Sequence, residues 1–97
     1  MPTYISLINW TDQGVKSFKD TVDRSEAAQQ LAGAFGGAVK DIYWTIGPYD
    51  IVVISEAPDD ESATAFALTL ASQGNVRTTT MRAFDSGEMR AIIAKAP

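Results

Sequence analysis

Four segments of the chain have the residue types of β-strands, and the first three carry apolar side chains at both odd and even positions. In the first, Ile5 and Leu7 fall on one side while Ile8 and Trp10 fall on the other, because side chains alternate along a strand. Both faces of the predicted sheet are therefore partly apolar. The predicted strands cover residues 3–10, 38–46, 49–57 and 75–84.

Helical patterns separate most of these strands. Ala63, Phe66, Ala67 and Leu70 recur at the spacing of one helix face, which predicts an amphipathic helix. Near the C-terminus, Asp85-Ser86-Gly87-Glu88 has the spacing of a capping box at a helix start. The predicted helices cover residues 12–19, 22–35, 59–72 and 86–95.

The element order is therefore β-α-β-β-α-β followed by an extra C-terminal helix, in one α+β domain that spans residues 1–97. Two helical crossovers around a central hairpin are typical of the ferredoxin-like arrangement. Right-handed crossovers place both helices on one face of a four-stranded antiparallel sheet with strand order 4-1-3-2.

The second face of this sheet would then be apolar and uncovered. An exposed apolar surface of several hundred Å² is unusual on a small monomer and indicates an interaction site. A second copy of the chain could cover it, giving a homodimer in which two sheets face each other as a dimeric α+β barrel with a pocket between them. The alternative is a monomer whose C-terminal helix covers part of the face.

Composition excludes several classes of function. The 97 residues include no cysteine and no histidine, which removes thiolate chemistry, haem ligation by histidine and the commonest metal ligands. A formal net charge of -4 disfavours nucleic-acid binding. The longest apolar run, Ile51-Val52-Val53-Ile54, is far too short to span a bilayer. We expect a cytoplasmic protein without a metal or cofactor.

Several blocks of the sequence resemble GYD domain proteins. The opening Tyr4-Ile5-Ser6-Leu7-Ile8-Asn9-Trp10 and the segment Gly47-Pro48-Tyr49-Asp50 carry the resemblance, the latter at the motif that names the family. Further similarity lies in residues 56–61 and 74–84. The resemblance implies a small bacterial or archaeal domain with a dimeric α+β-barrel-type fold, and it implies little about chemistry. Pro48 departs from the motif and should stiffen its turn.

Polar and aromatic side chains near the central hairpin form the candidate ligand site. Tyr49 and Asp50 could lie at a pocket mouth, or they could simply build the turn. The aromatic residues could hold a planar ligand or pack at a subunit interface. Arg82 could bind an anion, or it could pair with a nearby carboxylate. The candidate residues are Asn9, Trp10, Tyr43, Trp44, Tyr49, Asp50 and Arg82.

Two functions from different classes fit this pattern. The first is a homo-oligomeric module that binds a small molecule or takes part in assembly through its open sheet face. The second is a cofactor-independent enzyme of the dimeric barrel type, an oxygenase or isomerase acting on a planar polar substrate. The sequence contains no recognisable catalytic signature, so the first function is favoured.

Overall fold

The computed structural model describes residues 1–97 and confirms the predicted α+β architecture. Four strands and two crossover helices follow the predicted order, and a fourth α-helix ends the chain. A short 3₁₀ turn at Phe18–Asp20 separates the first two helices. The elements are β1 (Thr3–Trp10), α1 (Asp12–Lys16), α2 (Thr21–Ala34), β2 (Ala38–Trp44), β3 (Ile51–Glu56), α3 (Asp60–Ser72), β4 (Val76–Ala83) and α4 (Ser86–Ile93).

The strands form one antiparallel sheet in the order β2-β3-β1-β4, which is the predicted order. β1 lies in the interior of the sheet and pairs with β3 on one side and β4 on the other. Ile5, for example, lies opposite Ile54 and Met81. The β2–β3 ladder contains a bulge between Val39 and Asp41, after which the register continues to Trp44.

Helices α2 and α3 lie on the same side of the sheet, as right-handed crossovers require. They meet at Phe35 and Phe66, whose ring centroids are 6.1 Å apart. Beneath them, Ile8, Ile51 and Val53 form a buried cluster on the covered face of the sheet. Tyr4 belongs to a second, separate cluster on the same face.

The opposite face of the sheet, here called the open face, carries two rows of side chains that follow the strand register. One row runs from Tyr43 through Val52 to Leu7, and the other contains Ile54, Ile5 and Met81. Tyr43 is 59% exposed and Met81 is 42% exposed, while the other four are half-buried. This face therefore presents a mostly apolar surface. The apolar side chains of the open face are Ile5, Leu7, Tyr43, Val52, Ile54 and Met81, and Asp41 and Thr79 complete the two rows.

The loop of the central hairpin is longer than predicted, because both of its strands are shorter. β2 ends at Trp44 instead of residue 46, and β3 begins at Ile51 instead of residue 49. The Thr45 N–H donates to the carbonyl of Asp50 at 2.8 Å, which closes the loop before ladder pairing can continue. Gly47 has a φ of +133°, which glycine adopts far more readily than other residues. The extended backbone of β2 therefore cannot continue through this residue.

The predicted helix over residues 12–19 is also shorter. α1 ends at Lys16, and Ser17 leaves the helical region with φ -106° and ψ 31°. The guanidinium of Arg24 donates to the carbonyls of Ser17 and Gly14 at 3.0 and 3.2 Å. These carbonyls are thereby satisfied without a continuing helix.

Helix α4 extends away from the rest of the molecule. It packs extensively against no other helix or strand. The radius of gyration is 14.5 Å, whereas a compact chain of this length is expected near ~12.5 Å. The Asp85–Glu88 capping box predicted from the sequence is present at its start. Its apolar stripe, formed by Met89, Ile92 and Ile93, is exposed.

Replacing Gly14 by alanine should lower the free energy of unfolding by about 1–3 kcal/mol. A Cβ at this position would collide with the backbone carbonyl of Asn75, which cannot move as a flexible side chain could. Gly33→Ala is the matched control, because a Cβ there meets open space in the interior of α2 and should stabilise the helix. Urea denaturation of both variants measures the difference. Equal stability of the two would contradict the close approach.

Candidate functional site

The hairpin loop is tied to the end of β1 by hydrogen bonds. The amide of Asn9 donates to the carbonyl of Pro48 at 2.8 Å. The backbone N–H of Trp10 donates to the carboxylate of Asp50 at 2.9 Å, and the Asp50 N–H donates to the carbonyl of Ile8. The structure therefore brings Asn9, Trp10 and Asp50 together at this end of the sheet.

These bonds give Asp50 a structural task. The β1–β3 ladder ends at the pair Ile8–Ile51. The N–H and the carboxylate of Asp50 extend the contact with β1 by one further residue. The carbonyl of Tyr49 likewise accepts from the hydroxyl of Thr45 at 2.6 Å. Both contacts favour the interpretation that this segment builds the turn.

The predicted aromatic set is divided between the two faces of the sheet. Tyr43 lies on the open face, and Asn9 shares that face on β1. Trp10 packs against the buried cluster on the covered face. Trp44 lies on the covered side as well, where its indole N–H donates to the hydroxyl of Thr21 at 2.9 Å. No single pocket can therefore contact all four side chains.

Arg82 lies far from the hairpin. It pairs with Tyr4, six positions along β1 from Trp10, which corresponds to about 20 Å. Its guanidinium donates to the carbonyls of Thr3 and Ala83 and lies 3.4 Å from the carboxylate of Glu88. Arg82 does not lie beside Asp50, and its contact with Glu88 agrees with the alternative that it pairs with a nearby carboxylate. Arg82 instead links β4 to the first turn of α4.

Tyr4 is a buried polar residue that the sequence reasoning did not select. Its hydroxyl donates to the carboxylate of Asp60 at 2.6 Å, and the guanidinium of Arg82 lies 5.8 Å from its ring centroid. Burial raises the pKa of Tyr4 from 10.0 to about 12, and the hydrogen bond to Asp60 adds to the effect. Tyr4 lies on the same face of β1 as Ile8, and this alternation could have identified it as a buried residue from the sequence.

The open face has the anatomy of a protein-interaction surface. Its apolar centre is bordered by charged groups, including an ion pair of 3.3 Å between Lys40 and Glu56 at one end. Arg77 lies opposite Asn9 at the other end of the face. An apolar centre with a polar rim is the usual arrangement at protein interfaces. We therefore take the open face as the candidate functional site.

None of the helices combines the length and the apolar character that crossing a bilayer would require. This finding agrees with the short apolar runs in the sequence.

Comparisons with known proteins identify relatives of the chain. The sequence model of the family described as "GYD domain" matches residues 4–93. A protein of Thermus thermophilus named "Glutamine synthetase and cystathionine beta-lyase binding protein" is 37% identical over 90 residues. The aligned region covers 92% of this chain and 95% of that protein. No solved structure matches the chain at a significant level.

Tyr4→Phe should alter the alkaline stability of the protein. Because the pKa of Tyr4 is about 12 when folded and 10.0 otherwise, its protonated form favours the folded state. This contribution is fully present below pH 10 and is lost as the pH rises through 12. We expect the melting-temperature difference between wild type and Tyr4→Phe to shrink across this interval. A melting-temperature difference that stays constant across this interval would contradict the stabilising role of the protonated Tyr4 hydroxyl.

Proposed function

The chain belongs to the GYD domain family, and on that basis we propose that it is a protein-interaction module. In this proposal it self-associates through its open face and holds a partner protein with α4. The relative from Thermus thermophilus is named for binding two enzymes, which supports a function in protein recognition. The proposal includes a cytoplasmic location, because both named partners of the relative are metabolic enzymes.

The observation that carries the proposal is the apolar character of the open face. Ile5, Leu7, Val52 and Ile54 lie side by side on the adjacent strands β1 and β3, and the crossover helices α2 and α3 lie on the other face of the sheet. Large exposed apolar surfaces mark interaction sites on small proteins. Two such sheets packed face to face bury both surfaces at about 10 Å separation.

The accessible surface of the single chain is larger than that of a compact monomer, which supports association with a second copy. Its accessible surface is 6373 Å², about 1,000 Å² more than the ~5,400 Å² expected for a compact monomer of this mass. Removal of such a surplus from each of two copies would bury about 2,000 Å² in total. Stable interfaces bury roughly 1,200–2,000 Å². The surplus, which the outward α4 and the open face share, is therefore of the size at which protein interfaces become stable.

Within this dimer we assign the exposed open-face residues to the interface. Tyr43 and Met81 stand at opposite ends of the face and would contact the second sheet. Asn9, on the same face, holds the hairpin loop in place beside Tyr43. Trp10, Trp44 and Arg82 serve the folded monomer in this proposal, because their contacts lie on the covered side.

Helix α4 is the surface that we assign to the partner protein. Arg82, Glu88 and the capping box fix its first turn to β4, so the helix is directed outward rather than frayed. Its exposed stripe of Met89, Ile92 and Ile93 has the spacing by which amphipathic helices dock into grooves. The relative's two partners are both proteins, which is consistent with such a contact.

We do not propose the cofactor-independent enzyme. That function required the polar and aromatic candidates to orient one substrate, whereas Tyr43 and Trp44 lie on opposite faces. Asp50 is engaged with the backbone of β1, and Arg82 lies about 20 Å away. A protein-interaction module requires no convergence of these groups.

Met81→Asp should convert the dimer into a monomer. The residue is 42% exposed in the single chain, so the charge is tolerated there, but it would be buried without a partner in the dimer. Leu68→Asp is the control, because Leu68 is 66% exposed on α3, on the helical side. Analytical ultracentrifugation should show a dimer for wild type and Leu68→Asp. A monomeric wild type, or a dimeric Met81→Asp, would contradict self-association through the open face.

Ile93→Asp should abolish capture of the partner while the dimer remains intact. The test uses purified glutamine synthetase and cystathionine beta-lyase from the organism that supplies this chain, immobilised for surface plasmon resonance. Ala91→Asp introduces the same charge on the other side of α4 and is the matched control. Since a buried unpaired carboxylate is costly, we expect at least about tenfold weaker binding for Ile93→Asp alone. Equal binding by both variants would exclude α4 as the contact.

A further inference from the structure

The space between the covered face and the two crossover helices is incompletely filled. It contains a cavity of about 110 Å³. Only nine of the 97 residues are buried, and no side chain is wholly withdrawn from solvent. Protein interiors are normally packed as densely as organic crystals, with few voids larger than a water molecule. A cavity of this size is therefore unusual in a protein interior.

The cavity exists because the residues at the middle of the space between the sheet and the helices have short side chains. The sheet contributes short hydroxyl side chains where large apolar ones would fill the space, and the helices contribute alanines. The buried residues consequently form two separate clusters, one around Tyr4 and the other around Ile8. The residues responsible are Ser6, Ser55, Thr78 and Thr80 from the sheet and Ala28, Ala32, Ala63 and Ala67 from the helices.

The walls of the cavity are apolar with a few hydroxyl groups. Ile8, Val53 and Phe66 supply apolar surface, and the hydroxyls of Ser6 and Thr80 are hydrogen-bonded to each other at 2.9 Å. Either hydroxyl retains further capacity to donate or accept. A ligand with one polar group could therefore bond to the wall while its body contacts the alanines.

The charged residues that reach the cavity are already paired. Arg24 donates to two backbone carbonyls, and the carboxylate of Glu56 pairs with Lys40 on the open-face side of the strand. A charged ligand would enter the apolar space without a free counterion, which is unfavourable. The lining is therefore suited to a neutral molecule.

The cavity has an entrance at the edge of the sheet. A groove of about 400 Å³ runs along β4 between the edge strand and α3. Tyr4, Ala63, Ala67, Thr78 and Thr80 line both spaces, so the groove adjoins the cavity. A ligand can enter there without the removal of either helix.

We propose that this cavity binds a small neutral molecule with an aromatic or branched aliphatic body and one hydroxyl group. An apolar cavity of about 150 Å³ holds benzene, so this smaller space of about 110 Å³, which borders the groove, suits a ligand of about six or seven heavy atoms. The hydroxyl of the ligand bonds to the Ser6–Thr80 pair, and its body lies against Ala28 and Ala67. This site lies on the opposite side of the sheet from the interaction surface, and the interaction module does not depend on it.

Phenol is the probe for this proposal. Titration of the full-length, isotope-labelled protein should give saturable amide shifts in residues that line the cavity, such as Ser6, Ala28 and Thr80. Benzoate carries a negative charge on a similar ring and should bind at least about tenfold more weakly, because the cavity offers no free cation. Phenol shifts that do not saturate, or that concentrate on the open face, would overturn the proposal.

Two variants test the site directly. Ala28→Leu fills the cavity and should abolish the shifts, whereas Ala27→Leu adds the same volume on the exposed side of α2 and should leave them unchanged. Thr80→Val keeps the shape and removes one hydroxyl, so it should weaken phenol roughly threefold to tenfold and leave toluene unaffected. If Ala28→Leu does not fold, Thr80→Val alone decides. Unchanged phenol affinity in Thr80→Val would then exclude the site.

Discussion

The sheet of this protein is apolar on both faces, but the chain has crossover helices for only one of them. Because both crossovers are right-handed, α2 and α3 cover the same face and leave Ile5, Leu7, Val52 and Ile54 on the other. α4, which could have covered the second face, packs extensively against no strand. The account of self-association follows from this mismatch between two apolar faces and a single helical layer.

The same mismatch determines which face of the sheet contributes most to the free energy of unfolding. The layer between the covered face and the helices, which forms the core in most two-layer domains, holds serine and threonine from the sheet and alanine from the helices at its middle and is incompletely filled. The open face carries a nearly continuous set of larger apolar side chains. Burial of that face, at about 25 cal/mol for each Å² of apolar surface, would stabilise the assembled protein substantially. Folding and association are then coupled, and the isolated monomer should be only marginally stable.

Much of the fold could be predicted from the sequence, since alternation along the strands and the stripe from Ala63 to Leu70 specify which faces meet. The break after Lys16 could not be predicted, because it depends on Arg24 reaching carbonyls ten and seven residues away. The candidate site was partly predicted: Asn9 and Asp50 do meet at the hairpin. The position of Arg82 was missed, because strand register between β1 and β4 is set by tertiary pairing and not by local pattern.

The most direct test of the central claim is an isotope-filtered nuclear Overhauser experiment on a mixture of labelled and unlabelled chains. Such a measurement records only contacts between different copies. The account predicts intermolecular contacts among the methyl groups of Ile5, Val52, Ile54 and Met81, because the two open faces pack against each other. An absence of intermolecular contacts, or contacts restricted to Ile92 and Ile93 of α4, would contradict it.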